Sequence, residues 1–456
     1  MALITHTFGP TALRDGPSIL QAAESLIQQQ QAGDQALVVT GAPADVTATL
    51  ADSIHLGSYP RVYNRLLSQY QSLARTLVRA ESDRRLLIQD ITDILDSYRW
   101  LGRSLTNRAP TPAEAASISA LGERLTVCLL TSHLQHRGVR ASAVRASDLI
   151  VTDANYAAAA PDLAATRARV AARLLARIED GYLPVVDGGS GGAPDGKLTR
   201  LAPGGAAHSG ALLAAAADAD ALWLWSGGPG VTTANPDLFP AARPLTALSR
   251  AELGALACFD ASVPSALALR PALDRGTPVT LRSLARPGTP GTTVRAAAGL
   301  PSGALRCLVT DDRVRLLSAG GPGAAAAAGL AALADQGIRA LAAPDGAQTL
   351  FVVSGRDLNL ALLALNDAFG AQAACRAHED ADTALVLALG PDICDQPAAA
   401  ERVRAALDAA GIRPERVAPA LVCGGDACGL LALVPAGARA AALAALHPLC
   451  ADSGDQ

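Results

Sequence analysis

Strands of the buried type alternate with helices in the first part of the chain, and this alternation constrains the fold most. Residues 2–8 and 36–40 are short and β-prone, and residues 17–30 between them have apolar side chains at helical spacing. Two strands joined by a helix pair in parallel. The alternation resumes beyond residue 140, with strands expected at 141–144, 149–152, 183–186 and 221–225 and helices at 162–180 and 209–219. The sequence therefore predicts an α/β fold with a mainly parallel sheet.

A long stretch at 58–137 interrupts this alternation and is predicted to be mostly helical. Its apolar residues recur at intervals of three and four, and it contains few residues that break helices. Pro110 and Pro112 mark a turn inside it.

The composition changes to Pro, Gly and Thr at 287–303, which indicates a domain boundary. Beyond it, 313–369 and 384–446 each have the pattern of a strand, a helix, two strands and a helix. Two similar units in succession suggest an internal duplication. We therefore predict three domains, at 1–297, 304–378 and 379–452.

Charge and apolar patterning exclude several classes of protein. A formal net charge of -4 is not the basic surface that nucleic-acid binding requires. The most apolar run, 210–225, is interrupted by Asp218 and Asp220, so no membrane span is expected. The first residues do not form a signal peptide, which predicts a cytoplasmic protein. Eight scattered cysteines without a C-x-x-C pair predict buried, unpaired thiols and no metal site.

Eight short segments then carry a more specific signal through their order. Residues 8–11 resemble the motif Lys-Phe-Gly-Gly-Thr-Ser-Val, and 41–47 resemble Ser-Ala-x-Ala-x-Val/Ile-Thr-Asn. The other six segments are Gly122-Glu123, 151–156, 195–205, 225–236, 259–263 and 290–292. Together they resemble the aspartokinase branch of the amino-acid kinase family over about 300 residues.

The resemblance implies an αβα sandwich, followed by two ferredoxin-like ACT (βαββαβ) units that bind regulatory amino acids. It implies the aspartate pathway, in which ATP and magnesium serve the 4-phosphorylation of L-aspartate. It also implies a homodimer formed through the ACT-like units and a small amino-acid effector.

The family's charged catalytic residues are replaced in this sequence. The position of the family lysine that faces the phosphates is Thr7, and that of the arginine on the substrate carboxylate is Pro203. The other replaced positions are Ala207, Gly227 and Ser262. Phosphoryl transfer depends on such charges, each contributing on the order of 2 to 4 kcal/mol. The sequence therefore predicts impaired catalysis, with ATP and magnesium bound only if kinase activity survives.

Other positions of the resemblance are retained. For the substrate pocket they are Gly9, Thr11, Thr47, Glu123, Gly204, Gly205 and Ser209; for the nucleotide pocket, Trp225, Gly230 and Pro236; and for the effector, Gly320, Gly321, Asp392 and Asp395. Backbone N–H groups of the glycines, with the helix that follows Ser209, suit an anion. Glu123 matches a residue that meets the substrate's amino group, with a solvated or capping carboxylate as the alternative. For Asp395, helix capping is the alternative to effector binding. For His208, a packing role is expected.

Three functions stay open at this point. The preferred one is an impaired aspartokinase-like protein that senses amino acids or assembles with a competent aspartokinase. The second is an active kinase for aspartate or a related amino acid that uses rearranged residues. The third is another small-molecule role for the old pocket.

Overall fold

The computed structural model describes residues 1–202, 205–260, 263–295, 302–312, 314–321, 324–370, 375–378, 383–422 and 428–451. The chain divides into two compact units. The N-terminal unit comprises Met1–Gly230 and Ala268–Gly291, and the C-terminal unit comprises Val231–Leu267 and Thr292–Gln456. The predicted boundary at 297 therefore differs from the observed division, because 231–267 belongs to the second unit.

A parallel sheet of six strands forms the centre of the N-terminal unit. The strands are β1 (Leu3–Phe8), β2 (Gln35–Thr40), β3 (Ala141–Val144), β6 (Leu183–Asp187), β9 (Ala221–Ser226) and β11 (Val279–Ser283), in the spatial order β11-β9-β1-β2-β6-β3. Each neighbouring pair is parallel. This confirms the mainly parallel sheet that the alternation predicted.

Helices cover both faces of this sheet. On one face, Val38 and Val185 lie in a core with the helical stretch, whose helices are α1 (Gly16–Gln31), α2 (Ala44–His55), α3 (Tyr59–Leu77), α4 (Glu81–Ser104) and α5 (Pro112–His136). On the other face, Val39 and Val186 pack with α6 (Leu163–Val170), α7 (Ala176–Glu179) and α8 (Gly205–Ala216). Successive residues of a strand point to opposite faces, so each strand serves both cores. The predicted αβα sandwich is confirmed.

Two local predictions differ from the structure. The strand expected at 149–152 is reduced to β4 (Val151–Thr152), which joins a small sheet with β5 (Pro161–Asp162), β7 (Ser190–Gly192) and β8 (Leu198–Arg200). The helix expected from residue 209 begins at Gly205 instead. Ala206 and Ala207 are strong helix formers, which explains the earlier start.

The C-terminal unit contains an antiparallel sheet of eight strands. They are β13 (Cys307–Asp311), β14 (Val314–Ala319), β15 (Ala340–Asp345), β16 (Gln348–Ser354), β17 (Arg376–Ala377), β18 (Thr383–Leu389), β19 (Arg416–Val422) and β20 (Cys428–Pro435), in the order β13-β18-β20-β19-β15-β16-β14-β17. The helices between them are α11 (Ala324–Asp335), α12 (Leu358–Phe369), α13 (Pro397–Ala409) and α14 (Arg439–Leu446). Two βαββα units lie side by side in one sheet, which confirms the predicted duplication.

The remaining elements of the C-terminal unit explain its boundary. Strand β10 (Ala247–Ser249) pairs in parallel with β12 (Thr292–Arg295), and α9 (Arg250–Phe259) follows β10. The fully buried Arg306 donates to Glu252 at 3.0 Å and to the Ala247 carbonyl at 2.7 Å. Strand β13 pairs with β18, so 307–311 joins the second βαββα unit. The predicted boundary at 304 had assigned these residues to the first unit.

The expectation of unpaired cysteines is wrong for two of them. Cys394 and Cys428 form a disulfide that links a turn after β18 to the start of β20. Cys423 lies outside the described residues. Within the described part of the chain, no helix is long and apolar enough to cross a membrane.

Candidate functional site

The carboxyl ends of four parallel strands meet at one edge of the sheet in the N-terminal unit, where ligands bind in open α/β sheets. A glycine follows each of three strands: Gly9 after β1, Gly41 after β2 and Gly188 after β6. A methyl group on Gly188 would lie 2.7 Å from the Ala206 Cα atom, so only glycine lets α8 approach this edge so closely. The glycine loops therefore fix the position of α8 beside the strand ends.

The N–H groups of these glycines are engaged within the protein. Gly9 donates to the Trp225 carbonyl at 3.0 Å, Gly41 to the Phe8 carbonyl at 2.8 Å, and Gly188 to the Thr40 carbonyl at 2.8 Å. The expectation that the Gly9 N–H faces an anion therefore does not hold in this arrangement. The Ser209 hydroxyl accepts the Gly189 N–H at 2.8 Å, and Ser209 lies inside α8 and not before it.

Glu123 lies in the middle of α5 and is brought to this edge by its neighbour. A methyl group on Gly122 would lie 2.8 Å from the Ala42 Cβ and 3.3 Å from the Thr47 hydroxyl, so this glycine lets α5 pack closely on the loop after β2. Glu123 is only 5% exposed. The solvated and capping alternatives for Glu123 are therefore wrong.

Arg200 binds the Glu123 carboxylate. Its Nη2 donates to Glu123 Oε1 at 3.0 Å, and its Nη1 donates to the Ser190 hydroxyl at 3.2 Å. Strands β7 and β8 place Arg200 opposite Ser190 in their ladder. Burial raises the pKa of Glu123, and the Arg200 charge acts against this rise. Glu123 Oε2 is buried and has no hydrogen-bond partner among the described residues.

Thr7 lies directly against α8; the sequence resemblance assigns the family's lysine position to it. A methyl group on Gly210 would overlap the Thr7 hydroxyl, for which the described residues offer no hydrogen-bond partner. Thr7 is 1% exposed. A short neutral side chain thus fills the space between β1 and α8.

Gly227, which the sequence resemblance assigns to a family aspartate position, is also closely packed. A methyl group there would overlap the Thr11 carbonyl, and the Gly227 N–H donates to the Thr11 hydroxyl at 3.2 Å. Ala207 is half-buried on α8. Pro203, Gly204 and Ser262 lie outside the described residues.

Trp225 is buried in an aromatic stack. Its Nε1 donates to His6 Nδ1 at 3.2 Å, and its ring stacks on His6 and Phe8. Arg282 lies over the Trp223 ring at 4.2 Å. Burial, aided by the Arg282 charge, lowers the pKa of His6 to about 3, so this imidazole is neutral. Trp225 serves as a packing residue in this arrangement.

The other predicted positions are dispersed. Gly230 ends the first part of the N-terminal unit with φ of 92°, whereas Pro236 belongs to the C-terminal unit. His208 is buried and its Nδ1 pairs with the Ala268 carbonyl at 3.0 Å, which fits the packing role expected of it.

The predicted effector residues lie on loops of the C-terminal unit. Gly320 follows β14 with φ of 63°, and the Gly321 carbonyl accepts the Thr349 hydroxyl at 2.8 Å. Asp392 is exposed with φ of 48°. Helix α13 has Gln396 at its N-cap without a side-chain hydrogen bond, so Asp395 does not cap it.

Asp187, which no sequence motif indicated, is the second buried carboxyl group at this edge. It ends β6 and is 2% exposed. Its Oδ1 accepts the Ala146 N–H at 2.6 Å, while Oδ2 has no hydrogen-bond partner within the described ranges. Burial raises its pKa to about 6. A carboxylate directly after a buried strand was the signal that could have identified it.

Comparisons with known proteins agree with this geometry. The model of the amino acid kinase family matches residues 4–283. Lysine-sensitive aspartokinase 3 of Escherichia coli is 27% identical over 300 residues, which are 64% of each chain. Aspartate kinase of Pseudomonas putida is 28% identical over 268 residues, 58% of this chain and 51% of that protein. The matches thus span less than two thirds of these relatives.

The fold similarity extends further along the chain. The structure of E. coli aspartokinase III with lysine and aspartate, in the T state, has a TM-score of 0.78 at 22% identity and covers 99% of this chain and 100% of that one. The structure of the same enzyme with aspartate and ADP has a TM-score of 0.75 at 22% identity, with 98% and 99% covered. Because the family model matches more than half of its residues, the chain belongs to the amino acid kinase family.

Proposed function

We propose that this chain is an aspartokinase-like protein without kinase activity, which acts as an amino-acid sensor or regulatory subunit in the aspartate pathway. The observation that supports this most is the ion pair between Glu123 and Arg200. In the family resemblance, the carboxylate at Glu123 receives the amino group of the substrate. Here an internal guanidinium lies 3.0 Å from it. Aspartate would have to compete with a cation that is covalently part of the chain.

The charge inventory at the phosphate side supports the same proposal. A magnesium nucleotide needs cationic groups and carboxylates around its phosphates. The positions Thr7, Ala207 and Gly227 offer neither. Thr7 and Gly227 are moreover closely packed, so longer side chains would not fit without movement of α8 or of the Thr11 loop. The residues present do not fit Mg-ATP.

The C-terminal unit supports a sensing role. It retains two complete βαββα units. The relatives include a lysine-sensitive aspartokinase, and a similar structure contains lysine. We infer that a small amino acid, lysine or threonine, binds at the loops of Gly320–Gly321 and Asp392–Asp395. A homodimer through these units, and assembly with a competent aspartokinase, belong to the same proposal.

Turnover measurements test the proposal. The full chain is incubated with Mg-ATP and L-aspartate, and ADP release is followed with and without lysine or threonine. We expect no aspartate-dependent ADP release, and we expect the chain to change the lysine or threonine response of an added active aspartokinase. Aspartate-dependent turnover that disappears in Glu123→Gln would show an active kinase with rearranged residues instead.

A further inference from the structure

A cavity of about 410 Å³ lies beside the strand ends in the N-terminal unit, between α4, α5 and the edge strand β3. Helix α5 lines it with one stripe of residues at helical spacing, which includes Arg124, Cys128 and Thr131. Its volume falls in the range of small-molecule sites, roughly 300 to 1,000 Å³. Glu123, the predicted contact of the substrate's amino group, is not among the lining residues, whereas Asp187 at the end of β6 is.

Two guanidinium groups face this cavity without a partner. Arg124, on α5, and Arg145, directly after β3, both line it. None of the described residues forms a hydrogen bond or ion pair with either guanidinium. Burial and the nearby Arg145 charge lower the pKa of Arg124, whereas the Asp187 charge acts against this fall. Two unpaired arginines close together are a suitable site for a carboxylate, which guanidinium groups bind with two parallel hydrogen bonds.

Carboxyl groups line the same cavity. Asp187 is 2% exposed, and none of the residues that the structure describes forms a hydrogen bond with its Oδ2 atom. A buried polar atom without a partner is uncommon in folded proteins and calls for an explanation such as a ligand. Asp90 and Asp93 line the cavity from α4. Burial and the neighbouring Asp93 raise the pKa of Asp90, so a cation beside it would be favourable.

We propose that this cavity binds a free α-amino acid. Its carboxylate pairs with Arg124 and Arg145, and its ammonium group donates to Asp187 Oδ2 and to the acidic side of the cavity. In the described part of the chain, Arg124 and Arg145 attract the Asp187 charge but form no hydrogen bond with its carboxyl group. A zwitterion supplies a hydrogen-bond partner to both kinds of group at once. A simple anion would leave the Asp187 oxygen unpaired, and a simple cation would leave the two guanidinium groups unpaired.

Calorimetric titration of the full chain tests this assignment. The probes are L-aspartate, L-lysine and L-threonine, with acetate and inorganic phosphate as anions that lack an ammonium group. The variants are Arg145→Gln, Arg124→Gln and Asp187→Asn. Arg103→Gln is the matched control, because Arg103 is an exposed arginine of α4 that does not line the cavity. Arg145 is exposed too, so its replacement does not disturb the core.

We expect at least one of the three amino acids to bind, and to bind roughly tenfold or more weakly in each cavity variant, as loss of a charged hydrogen bond implies. Arg103→Gln leaves the affinity unchanged. Acetate and phosphate bind at least tenfold more weakly than the amino acid. Binding at the loops of the C-terminal unit does not change in Arg145→Gln, which distinguishes it from binding in the cavity.

Three results would overturn the assignment. The first is no binding by any of the three amino acids, and the second is amino-acid binding that none of the cavity variants changes. The third is phosphate binding tighter than that of the amino acids with the same dependence on Arg145, which would make the cavity an anion site.

Discussion

Replacement of Arg200 by glutamine leaves the Glu123 carboxylate buried without a cation. The Arg200 side chain is 21% exposed and that of Glu123 is 6% exposed. Breaking a fully buried ion pair by removing one partner costs about 3 to 5 kcal/mol. Because Arg200 keeps some contact with water, we expect a smaller loss, about 2 to 3 kcal/mol in the free energy of unfolding at pH 7.5.

The double variant separates the pair from its parts. Glu123→Gln combined with Arg200→Gln leaves two neutral amides and no buried charge, so we expect a total loss of about 1 kcal/mol. With a loss of about 0.5 kcal/mol in Glu123→Gln alone, the coupling energy in the double-mutant cycle has a magnitude of about 2 kcal/mol. The control is Arg85→Gln, because the ion pair of Arg85 with Glu81 is exposed, at 77% and 74%, and contributes at most roughly 0.5 kcal/mol.

The assay is urea unfolding followed by tryptophan fluorescence. All three tryptophans, Trp100, Trp223 and Trp225, belong to the N-terminal unit, so the signal reports on the unit that contains the ion pair. A loss in Arg200→Gln no larger than that of Arg85→Gln, or a coupling energy near zero, would refute the reasoning that Arg200 neutralises Glu123.

Three further predictions concern single contacts. Burial raises the pKa of Asp187 to about 6, so ionisation of Asp187 destabilises the fold as pH rises through 6. We therefore expect Asp187→Asn to be more stable than the native chain between pH 5 and 8, by up to roughly 3 kcal/mol. Urea unfolding at several pH values measures this difference. Reduction of Cys394–Cys428 opens a loop with a sequence separation of 34 and lowers stability by up to about 4 kcal/mol, measured by calorimetry with and without dithiothreitol. Gly210→Ala overlaps the Thr7 hydroxyl and costs about 1 to 3 kcal/mol in urea unfolding, most of which a second change, Thr7→Ala, restores.

Each of these three predictions has its own contradicting result. An Asp187→Asn variant whose gain is the same at pH 5 and pH 8 would mean that Asp187 does not titrate in this range. Unchanged unfolding after reduction would mean that the disulfide does not constrain the chain. A fully stable Gly210→Ala variant would mean that β1 and α8 separate easily.

The sequence predicted most of the elements because their signals are local. Alternation of apolar strands and helices identified the parallel sheet, and Pro110 and Pro112 correctly separated α4 from α5. The domain boundaries were less accurate, because they depend on long-range contacts. Arg306 binds Glu252 at a sequence separation of 54, and the spacing of apolar residues does not predict such an ion pair.

The candidate site was predictable in position but not in chemistry. The strand ends and the closely packed Gly122 follow from the motifs that the sequence contains. The partner of Glu123 could not be predicted from those motifs, because Arg200 is 77 residues away and is positioned by the pairing of β7 with β8. Asp187 lacked a motif, and the disulfide joins cysteines too far apart for a spacing rule.

Calorimetric titration of the purified chain with Mg-ATP tests the central claim most directly. If the replaced charges have abolished nucleotide binding, no heat of binding is expected up to millimolar Mg-ATP, in the presence or absence of L-aspartate. Micromolar binding of Mg-ATP would contradict this claim, because it would mean that residues other than Thr7, Ala207 and Gly227 bind the phosphates.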